Sequence, residues 1–232
     1  MIDRTAFYDS VRGSLFRGSL SKAQVQGLEK LLDVWFGHYH DHLDSRASIS
    51  MLAYMLGTAY HETARTMQPV RETLANTDSQ AIDRLDIAWA KGRLGQVKTP
   101  YWRNGYFGRG YAQLTHRSNY EKAGSKLKID LVNNPSLALD PEYAAHILFR
   151  GSIEGWFTGA KLSDYITPTI TRFVSARAVI NGRDRAMKIA EYADDFNAAL
   201  RGAYTGVPTA PKTEPRVSWV ATLINAIMRI FK

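Results

Sequence analysis

A glutamate stands at the end of an apolar run, in the segment Tyr-His-Glu-Thr at residues 60–63. Residues 49–60 are apolar on nearly every helical face, which is typical of a helix buried within a domain. A carboxyl group at the mouth of such a helix is partly removed from water, and this raises its pKa, toward about 6 in a favourable case. Glu62 is therefore predicted to be a general acid that protonates a leaving oxygen. The alternative is an ordinary solvated residue at a helix end.

Glycines and aromatic residues lie close together between residues 101 and 120. Gly105, Gly108 and Gly110 allow the backbone to approach a flat ligand, and the neighbouring rings could stack on the faces of sugars or bases. The glycine spacing fits neither the dinucleotide fingerprint nor the P-loop lysine motif. Thr115 is expected to cap a short helix that ends at Gly124.

His38 and His42 are spaced to share one face of a helix and could in principle hold a metal ion. A polar helix end gives the same pattern, and no matching ligands follow later in the sequence. The chain contains no cysteine, which excludes a disulfide framework, a thiolate metal site and a cysteine nucleophile. We therefore predict no metal and no cofactor.

The helix that leads to Glu62 is expected to begin at a capping serine, either Ser48 or Ser50. Beyond Glu62, Pro69 and a mixed polarity indicate that the chain leaves the helix. Glu72 therefore need not lie on the same face as Glu62.

Other helices are indicated by start and stop signals. A capping box at residues 21–24 opens one helix. Asp140 and Pro141 open a long buried helix that Gly159 is expected to end. Apolar spacing predicts further helices at 81–90 and 186–200. Because no alternating run is long enough to build a sheet, the fold class is predicted to be mainly α.

Composition divides the chain into three parts, a main domain over residues 1–204 and two short segments after it. Residues 205–216 contain three prolines and no core-forming run, which indicates a semi-extended linker. Residues 217–232 predict an amphipathic helix with a narrow polar stripe. The fifteen residues 217–231 would span only about 22 Å as a helix, short of the roughly 30 Å membrane core. This helix is expected to lie on an anionic membrane surface, or to pack on the domain or on a second chain.

The formal net charge is +8 and the pI is about 9.6, which favours a polyanionic neighbour such as nucleic acid, anionic lipid or an acidic cell-wall polymer. No nucleic-acid-binding motif accompanies the charge, so no nucleic-acid partner is predicted. The amino terminus lacks the basic start and apolar core of a secretion signal. Something other than a signal peptide is therefore expected to release the protein.

Three motifs occur in order: His-Glu-Thr at 61–63, Gly-Arg-Gly-Tyr-Ala-Gln-Leu-Thr-His-Arg-Ser-Asn-Tyr at 108–120, and Ala-Arg-Ala-Val-Ile-Asn-Gly at 176–182. With these motifs the chain resembles family 19 glycoside hydrolases, and within them the phage and prophage endolysin branch. The resemblance covers roughly residues 48–200. It implies a lysozyme-like, mostly helical fold with two lobes around a cleft. It also implies cleavage of β-1,4 links next to N-acetylglucosamine-type sugars with inversion.

The resemblance also implies roles for individual residues. Glu62 matches the general acid, Glu72 the base expected about ten residues later, and Thr115 a hydroxyl that helps to hold the attacking water. An inverting enzyme needs such an acid and base on opposite faces of the bond, with the carboxyl groups about 6.5–9.5 Å apart. The residues expected to bind substrate are His61, Tyr106, Arg109, Gln113, Asn119, Tyr120, Arg177 and Asn181.

The assignment of the base leaves alternatives open. Glu72 could instead form a surface ion pair with Arg71 or Arg65, which would contribute little. Asp83 and Asp86 are the other candidates for the base.

The sequence departs from many chitinases at residues 64–65, Ala-Arg in place of glycines, and at residues 111–112, Tyr-Ala in place of Pro-Ile. These changes bear on sugar specificity. The favoured interpretation is a monomeric, lysozyme-like endolysin that is made in the host cytoplasm and hydrolyses peptidoglycan glycan strands in the periplasm. A chitinase is the alternative within the same class. A non-catalytic cell-wall-binding or virion structural protein is the alternative from another class.

Overall fold

The computed structural model describes residues 1–95 and 97–205. The predicted helix 217–232 and all but the first residue of the predicted linker 205–216 lie outside the described residues. Within them the chain is mainly α, which confirms the predicted fold class. None of the described helices is both long enough and apolar enough to cross a membrane. The helices are α1 Arg4–Ser14, α2 Lys22–His38, α3 Ser45–Glu62, α4 Asp78–Ala90, α5 Arg117–Leu127, α6 Pro141–Glu154, α7 Phe173–Ala176 and α8 Ala186–Ala203.

Helix α3 forms the centre of the main core, where it packs extensively against α8. Its residues from Ala47 to Tyr60 are buried on every face, as its apolar composition predicts. The predicted serine cap is wrong, because the Asp44 carboxylate accepts hydrogen bonds from the first backbone N–H groups of the helix. Ser48 lies inside the helix, where its hydroxyl accepts a hydrogen bond from the Trp35 indole at 3.0 Å.

Helices α2 and α6 pack against each other beside this core. The capping box at the start of α2 is confirmed, since Ser21 and Gln24 exchange side-chain and backbone hydrogen bonds. Asp140 caps α6 as predicted. The predicted end of α6 at Gly159 is wrong: Gly155 takes a left-handed conformation, with φ of 76°, and ends the helix four residues earlier. Glycine adopts this conformation without steric cost.

Two short strands connect the segment after α3 to the glycine-rich block. Strand β1 is Val70–Arg71 and strand β2 is Arg109–Gly110, and they pair antiparallel with Arg71 opposite Arg109. This pairing brings Glu72 next to Gly108. A small separate core lies beneath this region and consists of Ala75, Ala81, Leu85, Trp102 and Phe107.

Candidate active site

Glu62 is the last residue of α3 and its side chain is 19% exposed. Its Oε1 accepts a hydrogen bond from Nη2 of Arg177 at 2.9 Å. Arg177 is itself buried, and its Nε donates to the backbone carbonyl of Asp184 at 3.0 Å. The sequence predicts apolar surroundings for the Glu62 carboxyl group, whereas in the structure the buried guanidinium of Arg177 contacts it. In the described part of the chain Oε2 of Glu62 accepts no hydrogen bond, so this oxygen is available to a ligand.

His61 lies beside Glu62 and packs against the ring of Tyr192, with 6.3 Å between the ring centroids. Burial lowers the pKa of His61. The charge of Glu62 opposes this effect, and the charge of Arg177 adds to it. The imidazole is therefore neutral near neutral pH. A neutral imidazole offers one N–H donor and one acceptor, which suits a sugar hydroxyl.

Glu72 follows β1 in a short 3-10 turn and is held by two donors. Its Oε1 accepts from the Tyr101 hydroxyl at 2.8 Å, and its Oε2 accepts from the backbone N–H of Gly108 at 2.7 Å. The backbone N–H of Glu72 donates in return to the Gly108 carbonyl at 2.7 Å. These reciprocal bonds fix the orientation of the carboxylate.

The predicted alternative of an ion pair between Glu72 and Arg71 or Arg65 is wrong. Arg71 pairs instead with Asp78, and no ion pair to Glu72 occurs among the described residues. Of the other candidates for the base, Asp86 accepts hydrogen bonds from the Trp102 indole and the Arg103 guanidinium. Asp83 is exposed on α4.

Thr115, Gln113 and Asn119 form one hydrogen-bonded group near Glu72. The Thr115 hydroxyl donates to the Gln113 carbonyl at 2.8 Å, and the Asn119 side-chain amide donates to the Thr115 carbonyl at 2.7 Å. The predicted capping role of Thr115 is wrong, because α5 begins at Arg117 without a side-chain cap and continues to Leu127.

Gly108 is the point at which this group meets Glu72. A Cβ atom on Gly108 would lie 2.7 Å from Oε1 of Gln113 and 3.3 Å from Oε2 of Glu72. A side chain at this position would therefore require the Gln113 side chain to shift and would crowd Glu72.

The backbone near Glu72 is strained at several non-glycine positions. Thr73 and Leu74 have φ of 62° and 55°, and Gln113 and His116 have φ of 50° and 70°. Such conformations are uncommon for residues with a Cβ atom and concentrate at functional sites. Each of these four residues lies within two positions of Glu72 or Thr115 in the sequence.

The side chains of Arg109 and Tyr120 are buried and bond to the loop. Their contact with substrate stays a prediction. The Arg109 guanidinium donates to the Gly105 carbonyl, the Tyr120 hydroxyl and Asp78. Tyr106 is only partly buried, and its hydroxyl donates to the Val132 carbonyl at 3.1 Å.

The site residues therefore fall into two groups. The first contains Glu62, His61, Arg177 and the exposed Asn181, whose backbone N–H donates to the Arg177 carbonyl. The second gathers around Glu72 and contains Tyr101, Gly108, Gln113, Thr115 and Asn119. No hydrogen bond or ion pair joins Glu62 to Glu72 in the described part of the chain.

Sequence reasoning missed Tyr101 of the second group, and it missed Asp78, which links the two strands beside that group. Tyr101 lay within the aromatic block that indicated ring stacking, but nothing in the sequence linked its hydroxyl to Glu72. Asp78 bonds to Arg71 on one strand and Arg109 on the other. Long-range pairs of this kind leave no periodic signal.

An open pocket of about 960 Å³ adjoins the segment that carries Arg177. Its wall includes apolar side chains from Val174 and Met187 and cationic side chains from Arg183, Arg185 and Lys188. All five of these side chains are exposed.

The structure thus holds two glutamates in separate segments of a mainly helical fold, Glu62 at the end of α3 and Glu72 after β1. Residues 95–186, about two fifths of the chain, match the family model described as chitinase class I. The match confirms the family resemblance over this central segment. It includes Gln113, Thr115, Asn119 and Arg177, whereas Glu62 and Glu72 precede it.

Related proteins show similarity over shorter stretches. The chain is 46% identical over 73 residues to chitinase 11 of Oryza sativa subsp. japonica, which is 31% of this chain and 26% of that protein. It is 54% identical over 56 residues to an acidic endochitinase of Solanum chilense, which is 23% of this chain and 21% of that protein. The chain thus spans about a quarter or less of the length of these relatives.

Solved structures are similar over most of the chain at lower identity. A bacterial family 19 chitinase is 18% identical with a TM-score of 0.45, and the alignment covers 90% of this chain and 97% of that one. Chitinase C from Streptomyces griseus is 19% identical with a TM-score of 0.43, with coverage of 98% and 74%.

Proposed function

We propose that this protein is a glycoside hydrolase that cleaves β-1,4 bonds beside N-acetylglucosamine-type sugars with inversion, and that chitin oligosaccharides are its first substrate class. One observation carries the proposal: two glutamates from separate segments are each anchored by their own donors, Arg177 for Glu62, and Tyr101 with Gly108 for Glu72. The match of residues 95–186 to chitinase class I supports the choice of substrate.

Glu62 is the general acid in this mechanism. Arg177 holds one oxygen of the carboxyl group, so that the other oxygen carries the proton to the glycosidic oxygen. Protonation of the leaving group by a positioned acid accelerates such a reaction by about 10²–10⁴-fold. Arg177 also keeps the carboxyl group oriented after the proton has left.

Glu72 is the base that takes a proton from the attacking water. Its two anchoring donors leave further lone pairs on each oxygen. The Thr115 hydroxyl already donates its proton to the Gln113 carbonyl, and it can therefore hold the water only as an acceptor. Water bound between Glu72 and Thr115 would attack the sugar from the face opposite Glu62.

Two side-chain amides can orient the sugar. Gln113 uses its N–H₂ group on the carbonyls of Val70 and Gly110, and Asn119 uses its N–H₂ group on Thr115. Each amide retains a carbonyl oxygen, which can accept a hydrogen bond from a sugar hydroxyl or N-acetyl N–H group. Asn181 and His61 can contact the sugar from the Glu62 side.

Hydrolysis of chitin hexaose by wild type, Glu62→Gln and Glu72→Gln tests the proposal. We expect both variants to lose at least about a hundredfold in kcat with little change in KM, because each loses a proton-transfer group. Glu121→Gln is the matched control, since Glu121 is an exposed glutamate on α5 whose partner is Arg117. Wild-type rates in Glu62→Gln would overturn the acid assignment. Sugar binding without hydrolysis by wild type would favour the non-catalytic alternative.

Peptidoglycan is the second candidate substrate, which would make the protein an endolysin of phage type. The cationic wall of the pocket beside Arg177 favours it, because Arg183, Arg185 and Lys188 would attract the carboxylates of an acidic wall polymer. Chitin has no such charge for these side chains to recognise.

The double variant Arg183→Gln, Lys188→Gln separates the two substrates. If peptidoglycan is the substrate, we expect KM on purified sacculi to rise about tenfold, with the rate on chitin hexaose unchanged. Lys22→Gln provides the control, because it removes an exposed positive charge at the start of α2. Equal rates of the double variant and wild type on sacculi would remove the support that the pocket gives to this substrate.

If peptidoglycan is the substrate, the protein would act in the periplasm. We also propose that it acts as a monomer and that residues 217–232 bind the anionic membrane there. Binding to anionic vesicles by the full chain and by a variant lacking residues 205–232 tests the membrane proposal. Equal binding by both would contradict it.

A further inference from the structure

A second cluster of polar side chains lies where α2 packs on α6. His38 is the last residue of α2, and Glu142 and His146 lie one turn apart on α6. Each of the three offers one ligand atom, and these atoms lie within 4.8 Å of one another. The sequence indicated His42 as the partner of His38, but His42 lies in the following 3-10 turn and is exposed.

We propose that His38, Glu142 and His146 bind a divalent transition-metal ion of the Zn²⁺ class. Two imidazole nitrogens and one carboxylate oxygen are a ligand set that suits such an ion. The sequence prediction of no metal rested on finding no matching ligands later in the chain, whereas the structure brings Glu142 and His146 close to His38.

The two ligand atoms from α6 are spaced as a tetrahedral ion requires. Nε2 of His146 and Oε1 of Glu142 are 3.4 Å apart. A tetrahedral ion with bonds of about 2.0–2.1 Å holds its ligand atoms roughly 3.3 Å apart. The His38 ring lies 5.3 Å from the His146 ring between centroids, and its ligand atom lies within 4.8 Å of the other two.

Both residues from α6 are oriented by a neighbouring side chain that contacts an atom other than the proposed ligand atom. The Tyr39 hydroxyl lies 2.7 Å from Nδ1 of His146, which directs Nε2 of that ring toward Glu142. Lys30 donates to Oε2 of Glu142 at 2.7 Å, and Oε1 remains on the side of the histidines. Outer partners of this kind orient metal ligands and fix the histidine tautomer.

His38 contributes an independent observation. Its Nδ1 is buried and has no hydrogen-bond partner among the described residues. Buried polar atoms are almost always satisfied in folded proteins. A bound ion would satisfy the His38 ring and would connect the end of α2 to α6.

Zinc binding by the full chain, first freed of metal with a chelator, tests the proposal by calorimetry and thermal unfolding. We expect one Zn²⁺ per chain with a Kd in the micromolar range or below, and a rise in Tm of several degrees as ZnCl₂ is added. His38→Gln should weaken binding at least about tenfold and abolish the rise in Tm. His42→Gln is the matched control, because it removes a neighbouring histidine that lies outside the cluster, and it should bind as wild type does.

Absence of binding by wild type would overturn the proposal, and the three residues would then form only a polar contact between helices. Equal binding by His38→Gln and wild type would also overturn it. Neither result depends on hydrolysis, so the inference stands or falls separately from the proposed function.

Discussion

At the scale of single residues, the two glutamates differ in how they are held. Glu62 has one oxygen engaged by a buried guanidinium, and Glu72 has both oxygens engaged by neutral donors. This difference suits an acid that must present one free oxygen and a base that must keep one orientation. The contribution of Tyr101 can be tested cleanly, because substitution by phenylalanine removes the hydroxyl and leaves the aromatic ring.

Tyr101→Phe is expected to lower kcat about 3- to 30-fold and to leave KM nearly unchanged, because Glu72 loses one of its two orienting donors. Burial raises the pKa of Tyr101, and the charge of Glu72 adds to this effect, so the hydroxyl is protonated throughout the working pH range. Tyr204→Phe is the control, since its hydroxyl lies 3.0 Å from Nε2 of His40 and is not among the predicted site residues. Steady-state kinetics measure the effect. If both variants match wild type, Tyr101 does not position Glu72.

At the scale of elements, helices carry the site and short loops complete it. The starts of α2 and α6 were predictable, because Ser21, Gln24 and Asp140 act through local hydrogen bonds. The helix that carries Glu62 was predictable from its apolar run. The contact between Arg177 and Glu62 and the link that Asp78 makes between the strands were not predictable. Each joins residues that are distant in sequence or that do not follow the spacing of a helix or strand.

Helix α2 offers a matched pair of glycines. A Cβ on Gly27 would lie 1.7 Å from the Met67 carbonyl oxygen, whereas a Cβ on Gly37 would meet nothing within 4 Å. Gly27→Ala should destabilise the fold by about 1–3 kcal/mol or more, because backbone must move. Gly37→Ala should stabilise it by up to roughly 1 kcal/mol. Urea unfolding measures the free energy of unfolding of both variants. Equal values for Gly27→Ala and Gly37→Ala would contradict the packing of α2 on the segment after α3.

Asp78 links the two strands that place Glu72 and Gly108. Burial alone would raise the pKa of Asp78, but hydrogen bonds from Arg71 and Arg109 outweigh it and hold the pKa below its usual value. A carboxylate with a depressed folded pKa stabilises the fold above its unfolded pKa, near about 4, and this contribution is lost as the pH falls through the lower folded value.

Asp78→Asn should therefore cost about 0.5–1.5 kcal/mol near neutral pH, because Arg71 and Arg109 lose their anionic partner and solvent screens part of that interaction at this half-exposed carboxylate. The difference from wild type should shrink as the pH falls below about 4. Asp83→Asn, on the exposed face of the same helix, should leave stability unchanged. Denaturant unfolding at several pH values measures this, and a difference that does not vary with pH would contradict the ionic role.

At the scale of the whole molecule, the net charge of +8 distinguishes the two candidate substrates. Attraction to an anionic polymer is screened by salt, because the Debye length falls from about 10 Å at 0.1 M to about 3 Å at 1 M. Hydrolysis of a neutral oligosaccharide has no comparable dependence.

If peptidoglycan is the substrate, its hydrolysis should fall by roughly tenfold between about 0.05 M and 0.5 M NaCl, while hydrolysis of chitin hexaose stays within about twofold. Rates measured on both substrates in one salt series give the comparison. Parallel curves would show that charge does not contribute to substrate recognition.

The most direct test of the acid–base assignment is the stereochemistry of the first product, followed by proton NMR during hydrolysis of chitin hexaose. Attack by water held at Glu72, opposite Glu62, predicts that the newly formed reducing end appears first as the α anomer. Glu62→Gln should give no detectable product on the same timescale. A β anomer as the first product, or unchanged turnover by Glu62→Gln, would contradict the account.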